Sequence, residues 1–128
     1  MLEVYRERLP ATPAAVRHAR HGVIDALVRA GTADGPLLAD IALAVSEATT
    51  NAVRHAYPPG SAGHIDVTVT CTPYSIIVTV KDEGVGMNAH ENAHGLGLGL
   101  PLMNSQTECL EITSDTTGTI VTLRFTAA

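Results

Sequence analysis

Apolar Ile, Val and Cys recur at every second position in two stretches, HIDVTVTC at 64–71 and SIIVTVKD at 75–82. A period of two places one set of side chains on one face of a strand. The short connection between the stretches contains Pro73, so they are expected to pair as an antiparallel hairpin with one buried and one more polar face. A looser alternation in LEVYRERL, carried by Leu2 and Val4, predicts a short opening strand. TECLEITS at 107–114 and TIVTLRF at 119–125, with Thr116, Thr117 and Gly118 near the turn, predict a closing hairpin.

Between these runs the period changes to that of a helix. Thr12 followed by Pro13 is a start signal, alanine-rich sequence continues to Ala30, and Gly31 stops it. A second start, TADGP at 32–36, precedes LLADIALAVSEATTNAVRHAY, which Pro58 and Pro59 end. EGVGMNAHENAH has no period and reads as a loop, and Leu98 to Gln106 reads as a short helix. The predicted order is β-α-α-β-β-α-β-β. Adjacent antiparallel hairpins with helices interposed fit an α/β two-layer sandwich, with a mixed, mostly antiparallel sheet and its helices on one face. A doubly wound parallel fold would need strand and helix to alternate strictly.

Length and composition narrow this further. A chain of 128 residues that is 45% hydrophobic suits a single domain over 1–128 with one core. With one Phe and no Trp, that core must be aliphatic. The net charge is −5 and the eight Lys and Arg are scattered, which argues against nucleic acid as a direct partner. Cys71 and Cys109 lie far apart in strand-like surroundings, as reduced core-filling thiols do. The N-terminus lacks the pattern of a signal peptide, and no apolar run approaches the roughly 20 residues of a membrane span. The expectation is a cytoplasmic chain with no membrane attachment.

Three stretches carry candidate chemistry. In the second helix Ile41, Val45, Ala48 and Ala52 share one sector, and Glu47 and Asn51 fall together in the next. Alone, this acid reads more readily as a solvated helix residue than as a functional one. At the end of the second central strand Asp82 precedes Gly84 and Gly86. Glycines there let a flat ligand approach the backbone, and a carboxylate can accept a hydrogen bond from the amino group of adenine. Guanine offers a carbonyl at that position and would be rejected. The pattern alone also fits an ordinary strand-end turn.

The third stretch, HGLGLGLPLMNS, imitates a strand, yet three alternating glycines would leave one strand face unpacked. Gly95, Leu96, Gly97, Leu98 and Gly99 instead offer unhindered N–H groups leading into a helix N-terminus, an arrangement that can hold phosphate. No lysine follows, so this is not a P-loop. Charge neutralisation would then fall largely to a metal ion. The Asn51 side-chain oxygen is a suitable hard ligand for Mg²⁺, and Glu47, one turn away, would be the base for an incoming hydroxyl or water.

Together EATTNAVRHAY, DEGVGM, and GLGLGL followed by GTIVTLRF resemble the N-box, the two glycine boxes and the closing threonine of the GHKL (Bergerat) ATP-binding fold. That fold is shared by gyrase, heat-shock chaperones, histidine kinases and mismatch-repair ATPases. Within it the chain most resembles the bacterial anti-sigma-factor serine kinases, across nearly its whole length. The resemblance implies ATP and Mg²⁺ as cofactors, with Glu47 as catalytic base and Asn51 as metal ligand. It implies Asp82 at adenine beside Gly84, Gly86 and Met87, residues 95–99 at the phosphates, and Thr119 lining the adenine end. It also implies a sigma factor and a serine-bearing antagonist protein as partners, and a homodimer. The segment between Met87 and Gly95 departs from the pattern, since it holds no Lys or Arg, and His90 and His94 are the only candidates for a basic group there. That departure motivates a second reading, a non-catalytic module whose bound nucleotide sets its affinity for a partner. The chain has no room for a phosphoacceptor hairpin and no transducer domain, which disfavours a histidine-kinase or gyrase-type ATPase reading.

Overall fold

The computed structural model describes residues 1–55, 57, 63–84, 107–115 and 117–126. Five strands, β1 (Leu2–Pro10), β2 (His64–Cys71), β3 (Ser75–Asp82), β4 (Thr107–Asp115) and β5 (Gly118–Thr126), form one sheet in the order β1-β2-β3-β5-β4. Every neighbouring pair is antiparallel. Helices α1 (Pro13–Ala30) and α2 (Gly35–His55) pack on one face of that sheet. The two-layer sandwich expected from the sequence is therefore present, and the short helix expected at 98–106 lies outside the described residues.

The alternating runs explain the core. Ile65, Val67, Val69 and Cys71 of β2 are buried, as are Ile76, Val78 and Val80 of β3 and Val121, Leu123 and Phe125 of β5. Facing them, α1 contributes Ala15, Ala19, Val23 and Leu27 at helical spacing, and α2 contributes Leu37, Ile41, Val45, Ala48 and Ala52. Each fully buried Val, Leu or Ile stabilises the fold by about 1.5–3 kcal/mol. Small alanines on both helices let the backbones lie close to the branched side chains of the sheet. The opposite sheet face carries Thr68, Thr79, Lys81, Thr122 and Arg124, partly or fully exposed.

Local signals set the element ends, with two differences from expectation. Gly31 ends α1 in the left-handed conformation at φ 66°, its N–H bonded to Leu27 and Val28 carbonyls. Thr12 occupies the cap position in extended conformation, but its side chain makes no cap hydrogen bond, so Pro13 alone marks the start. At α2 the side chain that bonds an orphan amide is Asp34, whose Oδ1 accepts the Leu37 N–H at 2.9 Å. The second difference lies in β1, where a bulge falls between Glu3 and Tyr5. The extra residue shifts the alternation, so Tyr5, Glu7 and Leu9 pair with the buried Val69, Val67 and Ile65. Glu7 consequently meets α1, where it accepts the Tyr5 hydroxyl at 2.6 Å and lies 2.9 Å from His18 Nε2.

Candidate nucleotide site

Asn51 is the most buried polar side chain on the candidate face of α2, at 5% exposure. Its Nδ2 donates to the Glu47 carbonyl one turn back at 3.0 Å. That bond fixes the amide orientation and leaves Oδ1 without a partner among the described residues. A buried, unpartnered amide oxygen is a suitable ligand for a hard cation, so the residue fits the Mg²⁺ expected from the sequence. No cluster of three His, Cys, Asp or Glu exists among the described residues. The Glu47 carboxylate, half-buried one turn earlier, forms no hydrogen bond or ion pair with the described residues. The pair occupies the helix rim expected of it, with Asn51 turned further inward.

Asp82 closes the buried row of β3 after Ile76, Val78 and Val80, and only 6% of it is exposed. A carboxylate there needs partners. Its Oδ1 accepts the Gly84 N–H at 3.0 Å and the Thr119 N–H at 3.2 Å. Burial raises its pKa above the ordinary carboxylate range, against which these two bonds pull downward. Both bonds fall on one oxygen, and the other has no hydrogen-bond partner among the described residues. Thr119, 4% exposed, stands opposite Asp82 in the β3–β5 register. The sheet thus joins Asp82, Gly84 and Thr119 at one end.

Two further residues shape this end, Gly118, expected only as part of a turn, and Tyr57, expected only as the close of the second helix. Gly118 has φ +147°, and a Cβ on it would run into the Asp82 carbonyl oxygen. Only glycine lets β5 start so close to the end of β3. Tyr57 lies two residues beyond α2, yet its hydroxyl accepts the Glu83 N–H at 2.9 Å and donates to the His64 carbonyl at 2.6 Å. The C-terminal end of α2 is thereby held to the strand end that carries Asp82. Asn51 lies one turn inside that helix end and Glu47 one turn further. The only signal for Tyr57 was its position at the close of EATTNAVRHAY. Gly86, Met87, Gly95, Leu96, Gly97, Leu98 and Gly99 lie outside the described residues, as do His90 and His94. A groove of about 610 Å³ along α1, between Arg17, His18, His21 and Asp25, contains none of the site residues and no buried polar group.

The chain belongs to the histidine kinase-like ATPase domain family, whose pattern matches residues 9–125. It is 39% identical over 56 residues to the anti-sigma F factor of Bacillus licheniformis, covering 44% of this chain and 38% of that protein. It is 38% identical over 58 residues to the serine-protein kinase RsbW of the same species, covering 45% and 36% of the two chains. The matched segments thus span well under half the length of these curated relatives. Among solved structures, the RsbU and RsbW domains of a Mycobacterium tuberculosis protein superpose with TM-score 0.72 at 27% identity, covering 94% of this chain and 32% of that one. A mycobacterial sensor histidine kinase, MprB, superposes with TM-score 0.58 at 15% identity over 94% of this chain and 97% of that one, a likeness of fold alone. No described helix is long and apolar enough to cross a membrane.

Proposed function

We propose that this chain is an ATP- and Mg²⁺-dependent protein serine kinase that also binds a sigma factor, and so acts as an anti-sigma switch. The observation that carries the reading is the buried Asn51 Oδ1 one turn from the Glu47 carboxylate, neither with a partner among the described residues. This pair sits at the helix end that Tyr57 holds to the Asp82 strand end. Curated relatives described as anti-sigma F factor and serine-protein kinase support the choice of partners. A homodimer working in the cytoplasm belongs to the same reading.

In this mechanism Asp82 accepts the adenine amino hydrogen on the oxygen left free by Gly84 and Thr119. Residues 95–99 would hold the phosphates, and Asn51 Oδ1 would be a ligand to Mg²⁺, whose charge would screen that of the phosphates. Glu47 accepts the proton of the incoming serine hydroxyl as its oxygen bonds to the γ-phosphorus. The bond from that phosphorus to the β–γ bridging oxygen breaks, and ADP departs with the electron pair. The products are phosphoserine, ADP and a proton returned to solvent from Glu47.

The second reading, a nucleotide-set binding module without turnover, rests on the absence of Lys and Arg between Met87 and Gly95. One experiment separates the two. The chain is incubated with Mg-ATP and its cognate antagonist, and phosphoserine is sought by mass spectrometry. The kinase reading expects phosphoserine from the native chain and its loss in Glu47→Ala with sigma binding retained. Nucleotide binding without any phosphoserine contradicts the kinase and leaves the module.

A further inference from the structure

The β2–β3 ladder ends at Ile65 opposite Asp82, so His64 and Glu83 are its next pair. Their backbone groups do not meet. The Glu83 N–H ends on the Tyr57 hydroxyl at 2.9 Å, and the same hydroxyl donates to the His64 carbonyl at 2.6 Å. A side-chain oxygen has taken the place of the ladder's last rung. We infer that Tyr57 is a positioning residue for adenine recognition, a one-oxygen spacer that splays the strand ends beside Asp82 while tying them to the end of α2. The inference rests on the ATP reading of the site, which assigns Tyr57 no part.

Several contacts support the inserted rung. The chain leaves the sheet immediately after Asp82, and at Gly84 it turns back to donate its N–H to Asp82 Oδ1. With the rung closed directly, Glu83 would be drawn toward β2 and that turn would move. Glu83 is also anchored through its side chain, since Arg8 bonds Glu83 Oε1 at 2.9 Å and Asp66 Oδ1 at 3.1 Å. On the other side, Gly63 makes room for the aromatic ring, because a Cβ there would run into it. The Gly63 carbonyl is fixed by the Ala11 N–H at 2.9 Å, so the chain cannot easily withdraw. The hydroxyl is both donor and acceptor here, and phenylalanine can supply neither function.

Tyr57→Phe tests this on the full chain. Amide hydrogen exchange at Glu83 in the nucleotide-free protein is expected to quicken. The Kd values for ADP and ATP are expected to rise together by about threefold to tenfold, the cost of one neutral hydrogen-bond relay. Gly63→Ala, which displaces the ring, should reproduce the weaker binding, and combining the two changes should add little. A purely structural tyrosine would lower the melting temperature and leave Kd unaltered well below it. Unchanged Glu83 exchange overturns the spacer whatever the nucleotide result. Quickened exchange with unchanged Kd confines Tyr57 to the fold and also overturns it. Should the native chain bind no ATP, the nucleotide reading falls, and with it the role at adenine.

Discussion

Asp82 and Thr119 face each other across β3 and β5, and the Thr119 N–H donates to Asp82 Oδ1 at 3.2 Å rather than serving only the sheet. A carboxylate set this way has a cost. Burial raises its pKa, so the folded state binds its proton more tightly than the unfolded chain does. The associated stability is fully present below the unfolded pKa and is lost as pH rises through the folded one. Asp82→Asn keeps an acceptor for both backbone donors and removes the charge. Thermal melts should show this variant equal to the native chain in acid and increasingly more stable from about pH 4 toward neutrality. The same variant should lose adenine nucleotide binding, the trade expected of a functional buried charge. A variant less stable than the native chain at neutral pH would contradict the assignment of burial as the dominant influence.

Gly118 sets how close β5 comes to that carboxylate. With φ +147° and the Asp82 carbonyl in the space a Cβ would take, Gly118→Ala combines backbone strain with a steric conflict. The expected loss is about 1–3 kcal/mol, read by urea denaturation at constant m value. ATP affinity should fall with it, because β5 carries Thr119.

The α2 pair separates binding from chemistry. Asn51→Ala deletes the buried oxygen and one bond to a helix carbonyl, so stability should change by no more than about 1 kcal/mol. Calorimetry should then find ATP affinity no longer responsive to Mg²⁺. Glu47→Gln should keep the native affinity for Mg-ATP and lower the phosphorylation rate by about 10²–10⁴-fold. A Glu47→Gln protein with native turnover would remove the base from the mechanism.

At β1 the pH dependence has the opposite sign. The Tyr5 hydroxyl, and secondarily His18, hold the Glu7 carboxyl below its ordinary pKa. Its contribution is present above the unfolded pKa and lost as pH falls through the folded one. Tyr5→Phe should therefore narrow the stability difference between pH 7 and pH 3, measured by thermal melts, and leave nucleotide binding unaltered.

The β2–β3 hairpin was legible in the sequence to the residue, because strict alternation and a proline-bearing turn fix both period and register. Asp82 and Asn51 were legible for a related reason, since each is a polar residue standing where an apolar stripe leads one to look. The β1 bulge was not, because LEVYRERL tolerates either phase and the choice is made by its pairing with β2. Tyr57 escaped notice because its function lies in two backbone groups, His64 and Glu83, brought together only by the fold. Gly118 read as a turn glycine, and its steric relation to Asp82 exists only across strands.

In the proposed function the Asp82 end of the sheet recognises adenine while the Asn51 helix end holds the metal that serves the phosphates. Isothermal titration of the native chain with ATP and with GTP, each with and without Mg²⁺, tests it most directly. ATP is expected to bind, more tightly with Mg²⁺, and GTP at least tenfold more weakly, about 1.4 kcal/mol. Equal affinity for the two nucleotides, or no heat with ATP in Mg²⁺, would contradict it.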